Sequence, residues 1–398
     1  MNIKTMRFID KYLGTLGCFL LTISNKASLI FNKNYRCNGD GKVDKILMIK
    51  FWGIGSIILA TPAIRAVRER YPTAEIIFLT FLQNKEICES IGLIDEIITI
   101  ESSSLSRFIY QTIKVLAYLR RLRLDLVVDL EFLARFSSIM TYLSSARKAA
   151  EFYSNILWRG DLSKIKVHYN CYFHVTENFL NLVRILGVKE KSQGLSRPLV
   201  DAEAKKKIGA IFKSHNITPN DILIMVNINS SDMARERRWP KEKFAVLINR
   251  LSKEYSLKII LIGGKEDKDY VDSFLDLLKL KNSVLNLAGK TNIKELIALL
   301  EQCSIFISND SGPLHIAEAL DIPTVSFFGP ETPILYGPRG DKHLVYYNNL
   351  LCSPCMNIHN NKLVSCMMDN MCMKTIDADD VYDAIEKKYG YVLNNHKI

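Results

Sequence analysis

The stretch Ser304–Phe328, SIFISNDSGPLHIAEALDIPTVSFF, decides the fold. Ser304 to Ser308 is a short run rich in apolar β-formers and reads as a strand buried on both faces. Asn309 to Gly312 is a polar turn. Pro313 fits the first position of a helix running to Leu320, where its missing N–H has no partner to lose. Asp321 to Pro323 breaks the chain again, and Thr324 to Phe328 is a second strand. Two strands joined by a helical crossover pair in parallel, because a tight turn cannot bring the chain back in the same direction.

The alternation continues outward from this unit. Upstream lie the strand Ile222–Asn227, a helix over Lys241–Tyr255, the strand Leu257–Gly263, a helix over Asp267–Leu280, a strand at Val284–Leu287 and a helix over Asn292–Gln302. The first half repeats the pattern. Strands are read at Lys45–Lys50, Glu75–Thr80, Ile97–Ile100 and Asp125–Leu130. Helices are read through Arg65–Arg70, which Tyr71-Pro72 ends, over Ile113–Arg123, and over His174–Leu186, stopped by Gly187. Such alternation means βαβ units and parallel sheets, an α/β protein. A polar segment from Lys189 to Asn220 separates the halves. The expected domains are residues 43–200 and 201–345, preceded by a basic segment, 1–42, and followed by a Cys-rich segment with a terminal helix, 346–398.

The 398 residues exceed one ordinary core. Their net charge of +11 is uneven: residues 1–50 hold nine Lys or Arg against three Asp or Glu. A basic surplus favours an anionic partner. The uncharged run Tyr12–Ser24 is too short to span a bilayer, which takes ~20 apolar residues. Basic residues precede it as in a signal peptide, but no cleavage site of that kind follows. The run reads as a helix lying on a membrane surface, or as one packed on the protein itself. Without an export signal, the nine cysteines are expected reduced, in the cytoplasm.

Three stretches carry chemistry. Ser308-Asn309-Asp310-Ser311-Gly312-Pro313-Leu314-His315 joins a strand to a helix, whose amide end attracts phosphate; Gly312 permits close approach. The plainer alternative is a capped turn with a core-facing His315. Arg235-Glu236-Arg237-Arg238-Trp239-Pro240 follows a strand, where arginines can neutralise two phosphates; otherwise it is a solvated basic loop. Phe51-Trp52-Gly53-Ile54-Gly55-Ser56 places two glycines after the first strand. It is not GxGxxG, and no acidic residue follows at dinucleotide spacing, which argues against a nicotinamide cofactor. No helix-turn-helix, RNP-type or KH pattern supports nucleic-acid binding.

Taken in order, KILMIKFWGIGSIILATPAIRAVRERYP, ERRWPKEKF, LIGG, LAGKTNIKELIALL and SNDSGPLHIAEALDIPTVSFFGP resemble glycosyltransferase family 9, the bacterial lipopolysaccharide heptosyltransferases, over about residues 45–340. The resemblance implies a GT-B fold of two Rossmann-like domains facing a central cleft, with the donor nucleotide in the C-terminal domain and the acceptor in the N-terminal one. It implies metal-independent inversion, a donor such as ADP-heptose, a lipid-linked glycan acceptor and work at the inner membrane surface. The family's phosphate-binding lysine falls on Arg237. Arg238, Asn229, Ser230, Asp310, Ser311, Gly312, His315, Gly289 and Lys290 would line the donor site. Trp52, Gly53, Gly55 and Arg135 would line the acceptor side.

One departure concerns catalysis. Where the family has Gly-Asp, with the aspartate its proposed general base, this chain has Gly55-Ser56. A serine hydroxyl is not a base at neutral pH without help. Glu131 and Asp129, at the end of the strand DLVVDLE, are the substitutes; alternatively Glu131 pairs with Arg135 four residues on. A second reading follows from Ser56: a non-catalytic sugar-nucleotide or glycan-binding protein on the same fold. Cys352, Cys355, Cys366 and Cys372 include a CxxC pair, as in zinc knuckles. Reduced thiols are the favoured reading of that segment, a structural zinc the lesser one, and no cofactor is required.

Overall fold

The computed structural model describes residues 3–31, 42–154, 157–230, 234–360, 362 and 366–394. Residues 32–41 of the basic N-terminal segment, Cys37 among them, lie outside that set. The chain divides into two compact units, Met1–Ser196 and Arg197–Ile398.

The first unit opens with α1 (Ile3–Ile9), a single π turn (Asp10–Gly14) and α2 (Thr15–Phe31). Then come β1 (Lys45–Ile49), α3 (Ile54–Leu59), α4 (Thr61–Arg70), β2 (Glu75–Phe81), α5 (Lys85–Ile91), β3 (Glu96–Ile100), α6 (Leu105–Leu122), β4 (Leu126–Asp129), α7 (Arg135–Leu143), β5 (Lys148–Tyr153), β6 (Ile165–His168) and α8 (Val175–Arg184). The strands form one parallel sheet in the order β3-β2-β1-β4-β5-β6. Strand β1 is central, and Ile46 to Ile49 are fully buried, which accounts for the unbroken apolar run.

The second unit contains α9 (Ala202–Ser214), β7 (Ile222–Asn227), α10 (Lys241–Glu254), β8 (Leu257–Leu261), α11 (Lys268–Leu275), β9 (Val284–Asn286), α12 (Ile293–Leu300), β10 (Ile305–Asn309), α13 (Gly312–Ala319), β11 (Thr324–Phe328), α14 (Pro333–Tyr336), β12 (Leu344–Tyr347), α15 (Met371–Lys374) and α16 (Ala378–Leu393). Its parallel sheet runs β12-β11-β10-β7-β8-β9, the same winding as the first. Two parallel six-strand sheets with flanking helices make this a GT-B protein.

Several elements differ from the sequence reading, each for a local reason. Helix α6 begins eight residues earlier than read, at Leu105, because Ser104 accepts a hydrogen bond from the Arg107 amide and caps it. The polar segment read as a linker holds α9. Asp201 caps that helix through the Ala204 amide at 2.9 Å, and its apolar side is narrow, with Ala204 and Ile208 buried. Strands β5 and β6 escaped notice because Lys148, Glu151, Lys166 and His168 interrupt their apolar pattern. The segment set apart at 346–398 packs into the second unit: Met373, Val381, Ile385, Tyr389 and Leu393 share one core with Ile224, Ile259 and Phe327.

Candidate active site at the two switch points

In each sheet the winding direction reverses between two adjacent central strands, β1 and β4 in the first unit, β7 and β10 in the second. Loops leaving the carboxyl ends of such a pair diverge and open a crevice, the usual ligand site of a doubly wound sheet. All three chemically marked stretches leave from these four strands.

In the second unit, Asn227 ends β7 and Asn309 ends β10, and the two side chains stitch the crevice floor. Asn227 Nδ2 donates to Ser308 Oγ at 3.2 Å and to Ser311 Oγ at 3.0 Å. Asn309 Nδ2 donates to the Ile228 carbonyl at 2.9 Å, and its Oδ1 accepts from the Trp239 amide at 2.8 Å. Trp239 stacks on Phe327 with ring centroids 4.1 Å apart, which anchors the basic loop in the core. Arg237 reaches Asp310 at 3.0 Å, with both side chains largely shielded from water. Arg238 lies over the Tyr270 ring at 4.3 Å and 3.4 Å from Asp267. Arg237, Arg238 and Trp239 are therefore held in place, while Arg235 stays exposed. Ser311 occupies the cap position of α13, whose amide end faces the same loop junction through Asp310.

The other donor-side residues fall around this floor. Asn229 is buried; its Nδ2 donates to the Ile262 carbonyl at 2.9 Å, while its Oδ1 has no partner among the described residues. Ser230 Oγ donates to the Ala234 carbonyl at 3.0 Å and shapes the loop. Gly289 has φ +72°, and a Cβ there would sit 3.3 Å from Lys265 Cα. Lys290 Nζ donates to the Asn286 carbonyl at 2.9 Å, an edge-strand contact away from the β7–β10 pair. His315 is buried, with Nδ1 3.7 Å from Glu318 Oε2, on the inner side of α13.

In the first unit, Glu131 at the end of β4 holds the loop after β1. Its Oε1 accepts from Lys50 Nζ at 2.9 Å and from the Phe51 and Trp52 amides at 2.7 Å each. Both charged side chains are almost wholly buried. Asp129 is enclosed beside them, bonded to Arg159, to Ser137 Oγ at 2.8 Å and to the Glu131 amide at 3.0 Å. Burial pushes the Asp129 carboxyl up to about 7 against the opposing pull of the Arg159 guanidinium.

These contacts bear on two expectations. Asp129 is enclosed with both carboxylate oxygens bonded to protein donors, and Glu131 is almost wholly buried with Oε1 engaged by Lys50 and two amides, an arrangement that positions the loop after β1. Arg135 pairs with neither Glu131 nor an acceptor surface. It turns to the N-terminal helix, 3.7 Å from Asp10, whose carboxylate also caps α7 through the Arg135 and Phe136 amides at 3.1 and 2.8 Å.

Trp52, Gly53, Gly55 and Ser56 do form the turn itself. Gly53 has φ +83°, which makes glycine the natural residue there, and Gly55 is buried. Trp52 packs edge-on against Phe81 at 5.3 Å. Ser56 lies in the first turn of α3, and its hydroxyl is buried with no partner among the described residues. Lys50, Arg159, Asn227, Asn309 and Asn84, whose buried Nδ2 donates to the Phe51 carbonyl at 2.8 Å, were missed by sequence reading. Asn227 and Asn309 could have been found as lone amides closing apolar strands; Arg159 carried no local signal.

The cysteine segment holds Cys352 exposed, Cys355 and Cys366 half-buried and Cys372 buried, all as free thiols. Burial first, and the neighbouring thiols next, push Cys372 up to about 11 and Cys355 upward. Among the described residues, no three His, Cys, Asp or Glu side chains converge to hold a metal ion.

A model of the family "Glycosyltransferase family 9 (heptosyltransferase)" matches residues 114–364. The chain is 25% identical over 350 residues to lipooligosaccharide heptosyltransferase 2 of Campylobacter jejuni, covering 86% of this chain and 97% of that protein. Its fold matches a family 9 glycosyl transferase from Veillonella parvula with TM-score 0.73 and 24% identity, covering 87% of this chain and 98% of the other. It also matches E. coli ADP-heptose lipopolysaccharide heptosyltransferase II with TM-score 0.70 and 18% identity, over 87% and 99% of the two chains. The protein belongs to glycosyltransferase family 9, the heptosyltransferase family.

Proposed function

We propose that the protein transfers a heptose-like sugar, with inversion, from a nucleoside-diphosphate donor of the ADP-heptose type to a lipid-linked lipopolysaccharide acceptor. The observation that carries this reading is the junction of Arg237, Asp310 and the amide end of α13 at the β7–β10 switch. Departure of the nucleoside diphosphate leaves negative charge on the β-phosphate. A guanidinium and aligned amides beside that oxygen stabilise the charge without reorganising. In this reading Arg237 takes the diphosphate. Asn229, Ser230, Arg238, Ser311, Gly312 and His315 shape the donor site. The turn Trp52–Ser56 meets the acceptor, and no metal ion takes part.

Two of the relatives, those of Campylobacter jejuni and E. coli, are named as heptosyltransferases, the latter for ADP-heptose, and this supports the donor class. The domain roles follow: acceptor in the first unit, donor in the second, at the membrane's cytoplasmic face. Ser56, where the family has its aspartate, favours the second reading, a sugar-nucleotide-binding protein without turnover.

The test is a donor screen. Purified protein meets ADP-, GDP- and UDP-sugars with and without lipopolysaccharide-core acceptors, and thermal shift and nucleoside diphosphate release are followed. Stabilisation by ADP-heptose, with ADP released only when acceptor is present, is the expected result. Stabilisation with no release under any acceptor would put the binding protein in its place.

A further inference from the structure

From Ile3 to Phe31 the chain is helical throughout, broken only in phase by the π turn at Asp10–Gly14. At 1.5 Å per residue the rod is about 43 Å long. Its two faces differ sharply. Gly14, Cys18 and Thr22, spaced by four, are buried against the first unit. A Cβ on Gly17 would come within 3.0 Å of the Ile139 side chain, so the backbones lie close. Asp10 caps α7, and Thr22 Oγ accepts from the Asp161 amide at 3.0 Å. The rod is thus docked in one fixed rotation.

The opposite face carries Phe8, Tyr12, Leu16, Phe19, Leu20 and Ile23, every one more than half exposed. Positions 8, 12, 16, 19, 20 and 23 make one helical stripe. Lys11 and Lys26 are exposed along it, with Arg7 partly exposed. The one acidic residue between Ile3 and Phe31 is Asp10, which is turned inward to α7. Helix α7 packs against α6 as well, and α6 repeats this composition, with Leu105, Ile109 and Ile113 exposed beside Arg107 and Lys114.

We propose that the α1–α2 rod lies in the plane of an anionic phospholipid surface, its apolar stripe in the lipid and its basic residues at the headgroups. A large apolar patch rimmed by positive charge is the signature of that arrangement. No helix among the described residues is long and apolar enough to cross a membrane. Charge selects lipid over a second copy of the chain, because a two-fold contact through this face would bring the basic residues of one copy toward those of the other with no acidic residue exposed on the face to offset them. The usefulness of the anchor rests on the lipid-linked acceptor proposed above; its test does not require transfer.

The experiment is flotation of the full chain with vesicles of phosphatidylethanolamine and phosphatidylglycerol, and with vesicles of phosphatidylcholine. The protein is expected to float with the anionic vesicles and largely to release in high salt. Leu16→Ser, Phe19→Ser, Leu20→Ser and Ile23→Ser together should abolish flotation and leave Tm unchanged, since these side chains face outward. Lys11→Glu and Lys26→Glu should each weaken binding about fivefold or more, given ~1 kcal/mol per basic residue at such a surface. Phe19→Trp should shift its emission to the blue on vesicles and be quenched by brominated acyl chains. Failure of the unaltered chain to float, or flotation of the four-serine variant, overturns the proposal. So does conversion by those substitutions of a dimer into a monomer, which would make the face a self-association surface. ADP-sugar binding by the same preparation separates these failures from failure of the transfer reading.

Discussion

Lys50 Nζ and Glu131 Oε1 meet at 2.9 Å in the closed interior of the first unit, so the turn after β1 is locked to the end of β4 by a buried charge pair. Removing one partner takes away the charge opposite a buried ion, a loss that costs about 3–5 kcal/mol for such pairs. Glu131→Gln is expected to lower Tm strongly, and Lys50→Met likewise. The double variant Lys50→Met with Glu131→Gln should be less destabilised than the sum of the two. Denaturant unfolding of all four proteins checks this. Loss of turnover in Glu131→Gln at unchanged stability would restore Glu131 as a general base.

Arg237→Ala should weaken donor binding by ~10–100-fold, the loss of one charge-assisted hydrogen bond to phosphate, and should lower kcat further. It also leaves Asp310 without its guanidinium, so Arg237→Ala with Asp310→Asn should recover stability but not donor affinity. Arg237→Lys should retain part of the binding, because lysine supplies the charge without the planar fork. Calorimetric titration with ADP and the thermal shift it produces report both quantities.

Ser56 offers a hydroxyl where the family offers a carboxylate. A positioned base contributes about 10²–10⁴-fold. In the transfer reading, Ser56→Asp is expected to raise kcat and to give the rate an acidic limb, with activity falling as the new carboxylate is protonated. Ser56→Ala should keep stability, since the hydroxyl has no hydrogen-bond partner to lose among the described residues. A pH–rate profile that is identical for serine and aspartate would remove this turn from the proton transfer.

The thiols should react in an order set by exposure and ionisation. Burial pushes Cys88 and Cys303 up to about 12 and Cys18 to about 11. A thiol with a raised pKa holds little thiolate at pH 8, and these three are also enclosed. Iodoacetamide should modify exposed Cys352 first and reach Cys18, Cys88 and Cys303 only on unfolding, as peptide mass mapping would reveal. Early modification of Cys303 would show that the second unit opens at β10.

The architecture was legible because it rests on short-range signals. Runs such as ILIMVN and SIFIS have to be buried on both sides, and Pro313 and Gly187 mark where helices start and stop. The loops that leave the switch points were legible too, since Arg237 and Asp310 lie in strand-to-helix turns. What stayed hidden depends on contacts across the fold. Glu131 and Arg135 are four residues apart and look like a helical pair, yet each answers to a residue about eighty or more positions away, Lys50 and Asp10. Arg159 links Asp129 to the carbonyls of Ala134 and Phe152, a role no spacing announces. The outward stripe on α2 could be read as apolar, but which side faces the protein required the Asp10 cap.

Helix α16 buries Val381, Ile385, Tyr389 and Leu393 in the second unit, and the Tyr389 hydroxyl lies between the carbonyls of Lys342 and Thr324, at 2.7 and 3.1 Å. This sets a timetable for synthesis. The first unit is complete once residue 196 has left the ribosome, whereas the second, begun at α9, cannot close its core until the last turn of α16 emerges. At ~5–20 residues per second that interval is on the order of ten to forty seconds. Throughout it, the β7–β12 strands present unpaired edges and bare apolar faces on a nascent chain. Arrest-peptide force profiles should register the pull of the first unit's folding once residue 196 is free, and that of the second only after residue 393 is free.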